Sequence, residues 1–377
     1  MKTVLFATTA LVAFAGAASA ASHDSGATVS FSGEMTAGYN DNVDNGIFWD
    51  ADLDLTAAVD FGDSVTATLT TQVAKGNELG GSVVFTPTVE VVYTASSLTA
   101  SLKVGDLGDK GASEYFYADR SGMAVDVENH DATADARALI EFGSFGVAIG
   151  CEVVENGLLP VNYTGTCNEG AYNIGAGATF GSIKLGVGYD NNVGGLQRGV
   201  TSVSADATFG SLELGVSYAS ASAAIAPHAV AAAQNSIGVE VGATFGAIEL
   251  GAYFASNSVA DDEYGVSVDY TAGALTLGVR YDNVDNGGAG SGRAEYGVDL
   301  AYAVSDSLTA SAGYFNGAAD TYAAGVKTAG VVGGYYYAGI EYAVNDNISA
   351  TLSYATANEI SGPEFKDGIS AFITAEF

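Results

Sequence analysis

Histidine, cysteine, proline and basic residues are all scarce in this sequence: 3 His, 2 Cys, 4 Pro and 12 Lys plus Arg among 377 residues. Each scarcity excludes a class of function. His23, His130 and His228 are far apart in the chain, so neither a metal-ligand spacing nor a Ser-His-Asp arrangement can be placed. The 12 basic residues face 44 acidic ones, a net charge of −32 that excludes nucleic-acid binding through phosphate contacts. After the first twenty residues no apolar run reaches the ~18 residues that a membrane helix needs. The low proline count and single Trp contrast with 50 Gly, 21 Tyr and 17 Phe. An apolar chain rich in Gly and Tyr but without helical spans is either a soluble all-β protein or a membrane barrel.

The N-terminus reads as an export signal. Lys2 is the charged start, Val4 to Ala17 form a short apolar core, and Ala18-Ser19-Ala20 is a small-residue cleavage site. Residues 1–20 are therefore expected to be removed, leaving 21–377 as one domain; loss of Lys2 takes the net charge from −32 to −33. The exported compartment permits a disulfide, and Cys151 and Cys167 flank a loop-like segment that one would staple. The alternative is a pair of free thiols.

A repeated hairpin runs along the chain. Ala178-Thr-Phe-Gly-Ser-Ile-Lys-Leu-Gly-Val-Gly-Tyr189 returns as Ala207-Thr-Phe-Gly-Ser-Leu-Glu-Leu-Gly-Val-Ser-Tyr218 and as Ala243-Thr-Phe-Gly-Ala-Ile-Glu-Leu-Gly-Ala-Tyr-Phe254. The spacing between copies is irregular, which suits a fixed hairpin joined by loops of free length and not a solenoid. Each copy alternates at period two. Ile183, Leu185, Val187 and Tyr189 share one face; Lys184, Gly186, Gly188 and Asp190 share the other.

The aromatics decide between sandwich and membrane barrel. Short turns fall near Gly62, Ser96, Gly143, Gly181, Gly210, Gly246, Gly273, Ser305 and Asn345. Phe61, Tyr93, Phe142, Phe180, Phe209, Phe245, Tyr270, Tyr302 and Tyr342 precede them, all on the apolar face. A second ring follows on the outgoing strands at Tyr189, Tyr218, Phe254, Tyr281, Tyr314 and Tyr354. Six steps at ~3.3 Å separate it from each strand's first apolar residue, ~20 Å of strand. Two levels of aromatics flanking an apolar band are the girdles of a transmembrane barrel. A soluble sandwich has no use for them, and its packed core wants more bulk than an apolar face with many Ala supplies, the opposite face here being Gly, Ser, Thr and Asp. Lipid cannot satisfy a free strand edge, so the sheet must close. With an opening strand over Thr28 to Tyr39 and a closing one over Gly368 to Phe377, the nine turns predict an all-β, closed antiparallel barrel of 16–20 strands, twenty by direct count. A barrel this wide holds water.

The export signal, the hairpins with short turns and long loops, and the terminal strand Ile369-Ser-Ala-Phe-Ile-Thr-Ala-Glu-Phe377 resemble the Gram-negative general porins, in particular their alphaproteobacterial, Rhodobacter-type branch. The resemblance covers the whole mature chain. It implies an outer-membrane, usually sixteen-stranded homotrimer through which ions and small hydrophilic solutes diffuse, with no enzymatic activity and no cofactor. It implies that Phe377 signals to the barrel assembly machinery. It also implies that the loop after the fifth strand, about 106–135, folds inward as a constriction. That loop carries Asp106, Asp109, Glu114, Asp119, Asp126 and Glu128 against Lys110 and Arg120. Tyr115, Phe116 and Tyr117 suggest packing against the wall.

The sequence departs from the family on the facing wall, where a basic cluster is usual. The second strand instead offers Asp50, Asp52 and Asp54. Basic lumen candidates are Lys103, Arg137, Lys184 and Arg280, scattered over several strands, and Lys103 and Arg137 bracket the loop as candidate anchors through charge pairs. A cation-preferring pore follows. Asp50, Asp52 and Asp54 also raise a minor expectation of Ca²⁺ binding, but at ~6–7 Å apart they are better suited to stay hydrated. The competing functions are a substrate-specific porin and a non-enzymatic barrel adhesin or structural protein. The first would show an aromatic ladder along the lumen, and the second larger loops.

Overall fold

The computed structural model describes residues 27–42, 46–62, 64–76, 84–105, 111–113, 115–125, 135–152, 172–191, 199–223, 233–258, 260–284, 293–323, 326–357 and 366–377. The export-signal segment, the three histidines and Cys167 lie outside them.

Twenty strands follow one another with no α-helix among the described residues. They are β1 Ala27–Asn40, β2 Ile47–Gly62, β3 Val65–Gly76, β4 Val84–Ala95, β5 Leu98–Gly105, β6 Asp135–Phe142, β7 Phe145–Glu152, β8 Asn173–Phe180, β9 Ile183–Asp190 and β10 Val200–Phe209. Then come β11 Leu212–Ala221, β12 Gln234–Phe245, β13 Ile248–Asn257, β14 Glu263–Ala272, β15 Leu275–Val284, β16 Arg293–Ser305, β17 Leu308–Ala323, β18 Val326–Asn345, β19 Ile348–Ala355 and β20 Gly368–Glu376. Each pairs antiparallel with the next, and β20 returns to β1, from Glu34 opposite Glu376 to Asn40 opposite Ser370. The terminal Phe377 extends this seam, exchanging two 3.0 Å backbone hydrogen bonds with Gly33. The sheet is a closed ring. The count of twenty holds, and the family's usual sixteen does not apply.

The turns explain the register. At Gly181-Ser182 the chain reverses in two residues, with Gly181 at φ +60°, a conformation a side chain resists. Glycine at the first central position matches the twist of the flanking strands. Beside the turns after Gly62, Ser305 and Asn345 the ladder slips by a residue, a bulge that adds to the local twist, whereas the glycine-free Ser96-Ser97 turn closes in register.

Alternation then sorts every side chain. Phe61, Phe142, Phe180, Phe209 and Phe245 stand outward and exposed beside the short turns. Nearer the other end the outward tyrosines meet across strands as pairs: Tyr172–Tyr189, Tyr264–Tyr281, Tyr296–Tyr314 and Tyr336–Tyr354, with ring centroids 6.0, 6.3, 6.2 and 5.9 Å apart. Between the two levels the outward residues are Val, Leu, Ile and Ala. An exposed apolar belt of this kind is tolerable only against lipid. The buried side chains lie on the opposite, inner face, in three clusters built around Ala112, Tyr117 and Tyr337.

Candidate functional site

Part of the segment linking β5 to β6 lies inside the ring. Its described residues, 111–113 and 115–125, are packed on the inner faces of β7 to β13. The wall there is built to receive it. The inward positions are Gly146, Ala148, Gly150, Gly175, Gly177, Gly186, Gly188, Ser202, Ser204, Gly215, Ser217 and Gly238. A Cβ at Gly175 would meet the Ala112 carbonyl oxygen at 2.0 Å, and one at Gly188 the Ser113 carbonyl oxygen at 2.3 Å. Phe116 lies over Gly146 and Gly177.

Polar side chains of the wall satisfy the loop's backbone. Asn173 Oδ1 accepts from Ala112 N at 2.9 Å, and Ser204 Oγ accepts from Ala118 N at 3.1 Å. Ser217 Oγ donates to the Ala118 carbonyl. Glu240 accepts from both the backbone N and the hydroxyl of Ser121, at 2.8 and 2.7 Å. Ser236 Oγ accepts from Val125 N at 3.0 Å. Asn257 grips the turn from both sides, accepting from Ala124 N and donating to the Gly122 carbonyl, each at 2.9 Å. Buried backbone must find partners, and these supply them.

Arg120 is the electrostatic centre of the contact. Its guanidinium pairs with Asp206 and lies 3.6 Å from Glu240, and its side chain is only 8% exposed. One cation is thus held between two carboxylates, and one negative charge remains in excess. At the other end of the loop, Arg137 lies over the Tyr115 ring, 4.5 Å from its centroid. Arg137 thus meets the loop through an aromatic face, a contact that suits a partly dehydrated Arg. Burial raises the pKa of the Tyr115 phenol above its ordinary value, with Glu141 adding to the effect, so the ring stays neutral. Lys103 faces inward between Glu90 and Arg137 on the adjoining strands.

Of the other expected loop residues, Asp119 is half-buried in the packed segment. Asp106, Asp109, Glu114, Asp126 and Glu128 lie outside the described residues. Across the ring, Asp50, Asp52 and Asp54 face inward opposite Thr36, Glu34 and Ser32, and Glu34 is itself opposite Glu376. Among the described residues no group of three or more His, Cys, Asp or Glu side chains is placed to hold a metal ion. The Ca²⁺ expectation at Asp50, Asp52 and Asp54 thus has no assembled site, because alternate strand positions keep the carboxylates apart. Cys151 is disulfide-bonded; the chain's second cysteine is the undescribed Cys167.

Between the loop and the inner faces of β9 to β15 lies a cavity of about 750 Å³, lined by Lys184, Glu213, Tyr253, Arg280 and Asp282 together with the loop. Sequence reasoning had placed Lys184 and Arg280 in the lumen but missed Asp206, Glu240 and Asn257. Their signal was available: each sits at an inward position among small residues, where an isolated polar side chain has something to hold.

A family model described as Gram-negative porin matches residues 197–360. Among curated proteins none matches the chain. Solved structures similar to it include two variants of the Rhodopseudomonas blastica porin, at 12% and 11% identity and TM-score 0.44 in each case. A third, described as "Asymmetric conductivity of engineered proteins", is 13% identical with TM-score 0.43. Each alignment covers 93% of this chain and 100% of the other. The porin model lies on residues 197–360, less than half of the chain, and the chain's closed antiparallel barrel, apolar outside and holding a loop inside, is similar to the Gram-negative porins.

Proposed function

We propose that this barrel is a Gram-negative porin, an outer-membrane channel for passive diffusion, and that it is a general, cation-preferring pore. The observation that carries the reading is the use made of Arg120. The cation of the packed loop is consumed by Asp206 and Glu240, so the loop side contributes net negative charge to the passage. The far wall adds Glu34, Asp50, Asp52, Asp54 and Glu376, five carboxylates, with Lys366 nearby over the Phe48 ring. A water-filled passage with carboxylates on both sides concentrates cations and repels anions. A general pore is favoured over a substrate-specific one because Phe315, Tyr335 and Tyr337, which face inward, are buried against one another and do not form a ladder along the passage.

The test is the reversal potential of single channels in a potassium chloride gradient. A potential of the sign set by potassium is expected; a chloride-signed potential would overturn the reading. Assembly as a homotrimer, export through cleavage after Ala20, recognition of Phe377 by the barrel assembly machinery, and pairing of Cys151 with Cys167 belong to the same proposal.

A further inference from the structure

The inner wall holds a cation and an anion that neighbour each other yet do not pair. Arg280 and Asp282 occupy alternate, inward positions of β15 and line the cavity beside the loop. Opposite charges at ~6.6 Å along a strand are within side-chain reach. Here each is turned aside by an aromatic residue. The Arg280 guanidinium lies over the Phe315 ring, 4.9 Å from its centroid. Asp282 Oδ1 and the Tyr253 ring both sit over Gly265, where the missing side chain leaves room for them. The Arg280 Nε is buried without a hydrogen-bond partner, so the protein leaves part of that guanidinium's donor capacity unused.

A wall that only repelled anions would gain nothing from an Arg at this point. A cation and an anion held apart on one face are complementary to a solute that carries both charges on neighbouring atoms. We propose that Arg280 and Asp282 form a docking point for small zwitterions of the α-amino-acid class, the carboxylate on the guanidinium and the ammonium on the carboxylate. Phe315 and Tyr253 keep the site open by preventing the two residues from neutralising each other. The planar guanidinium fork suits a carboxylate. The acidic passage repels a simple anion before it arrives, whereas a zwitterion has no net charge to be repelled. The idea rests on the porin reading and adds a solute class to it.

The test is uptake of labelled glycine, and of uncharged glycolamide of similar size, into vesicles containing the porin. Glycine uptake is expected to exceed glycolamide uptake and to saturate with concentration. Removing one charge of the pair forfeits a contact of about 1 kcal/mol at ~4 Å in water, so Arg280→Gln or Asp282→Asn should lower the glycine-to-glycolamide ratio about fivefold. Phe315→Leu conserves every charge but frees Arg280 to pair with Asp282, and it should lower the ratio as well. A wild-type ratio near one, or a ratio kept in Arg280→Gln or in Phe315→Leu, would overturn the proposal. Vesicles that admit neither solute would instead sink the porin reading on which it rests.

Discussion

Substitution of Gly186 by Ala separates a wall that merely lines water from a wall that seats the loop. The added Cβ would lie 1.8 Å from the Phe116 carbonyl oxygen, 2.6 Å from its carbon and 2.9 Å from Ser204 Oγ. Non-bonded carbon contacts are comfortable at ~3.5 Å, so loop and wall must part by more than about 1.5 Å. The wall is a closed, hydrogen-bonded ring, so the loop is the side that yields. Moving Phe116 pulls on Ala118, whose N bonds to Ser204 and whose carbonyl accepts from Ser217. Overpacking costs ~1–3 kcal/mol and each of the two strained hydrogen bonds ~1, roughly 3–5 kcal/mol taken from loop docking. The loop shifts into the passage, since its other anchors at Glu240, Ser236 and Asn257 remain. Single-channel recording should show lower conductance and greater open-channel noise. Gly242→Ala is the control: it is also an inward glycine, but the nearest atom to its Cβ is the Glu213 Cβ at 3.7 Å, so wild-type conductance is expected. Equal traces from the two variants would refute the seating argument. So would normal conductance in Gly186→Ala accompanied by a fall in folded barrel, which would mean that the wall yields first.

Three further outcomes are expected. Arg120→Gln removes a cation and releases Asp206 and Glu240, so the reversal potential should move further toward potassium, and the change should fade near 1 M salt, where screening acts over ~3 Å; a shift toward chloride would contradict the assignment. Deleting Phe377 removes both hydrogen bonds to Gly33 at the closing seam, and the amount of barrel recovered from outer membranes should fall several-fold, with no change if the residue were dispensable. Intact-mass measurement of the exported protein should place its first residue at Ala21 and find no thiol that reacts before reduction; a longer chain or a reactive Cys151 would correct the export or disulfide proposal.

The barrel was legible because lipid imposes requirements that can be met in few ways. Aromatics at two levels, apolar residues between them and glycine at tight turns are separate demands, and each left its mark at a fixed offset from Gly181, Gly210 and Gly246. The girdle reading was still incomplete. Tyr172, Tyr264, Tyr296 and Tyr336 on incoming strands were overlooked, although each faces an outgoing tyrosine. The lengths of β17 and β18, 16 and 20 residues, were not foreseen either. Beyond the apolar band neither lipid nor core constrains the alternation, so their outer portions carry no pattern that marks a strand.

The loop contact was harder to read for a different reason. Small inward residues satisfy two physical situations equally: a wall facing water and a wall facing backbone. Gly186 and Gly242 look alike in sequence, yet one has a carbonyl pressed on it and the other only the Glu213 side chain at ordinary contact distance. Only register resolves them, by setting Gly175, Gly177, Gly186 and Gly188 side by side on β8 and β9. The charges follow the same logic. Counted along the chain, Arg120 and Arg137 lessen the acidity of the loop region and look free to act on passing ions. Once register brings Asp206 and Glu240 to the first and Tyr115 lies under the second, both are committed to holding the loop in place. Arg280 is committed differently, to a ring that keeps it from its neighbouring carboxylate. What a charge does to a passing solute therefore depends less on how many charges the lumen holds than on which of them the wall has already occupied.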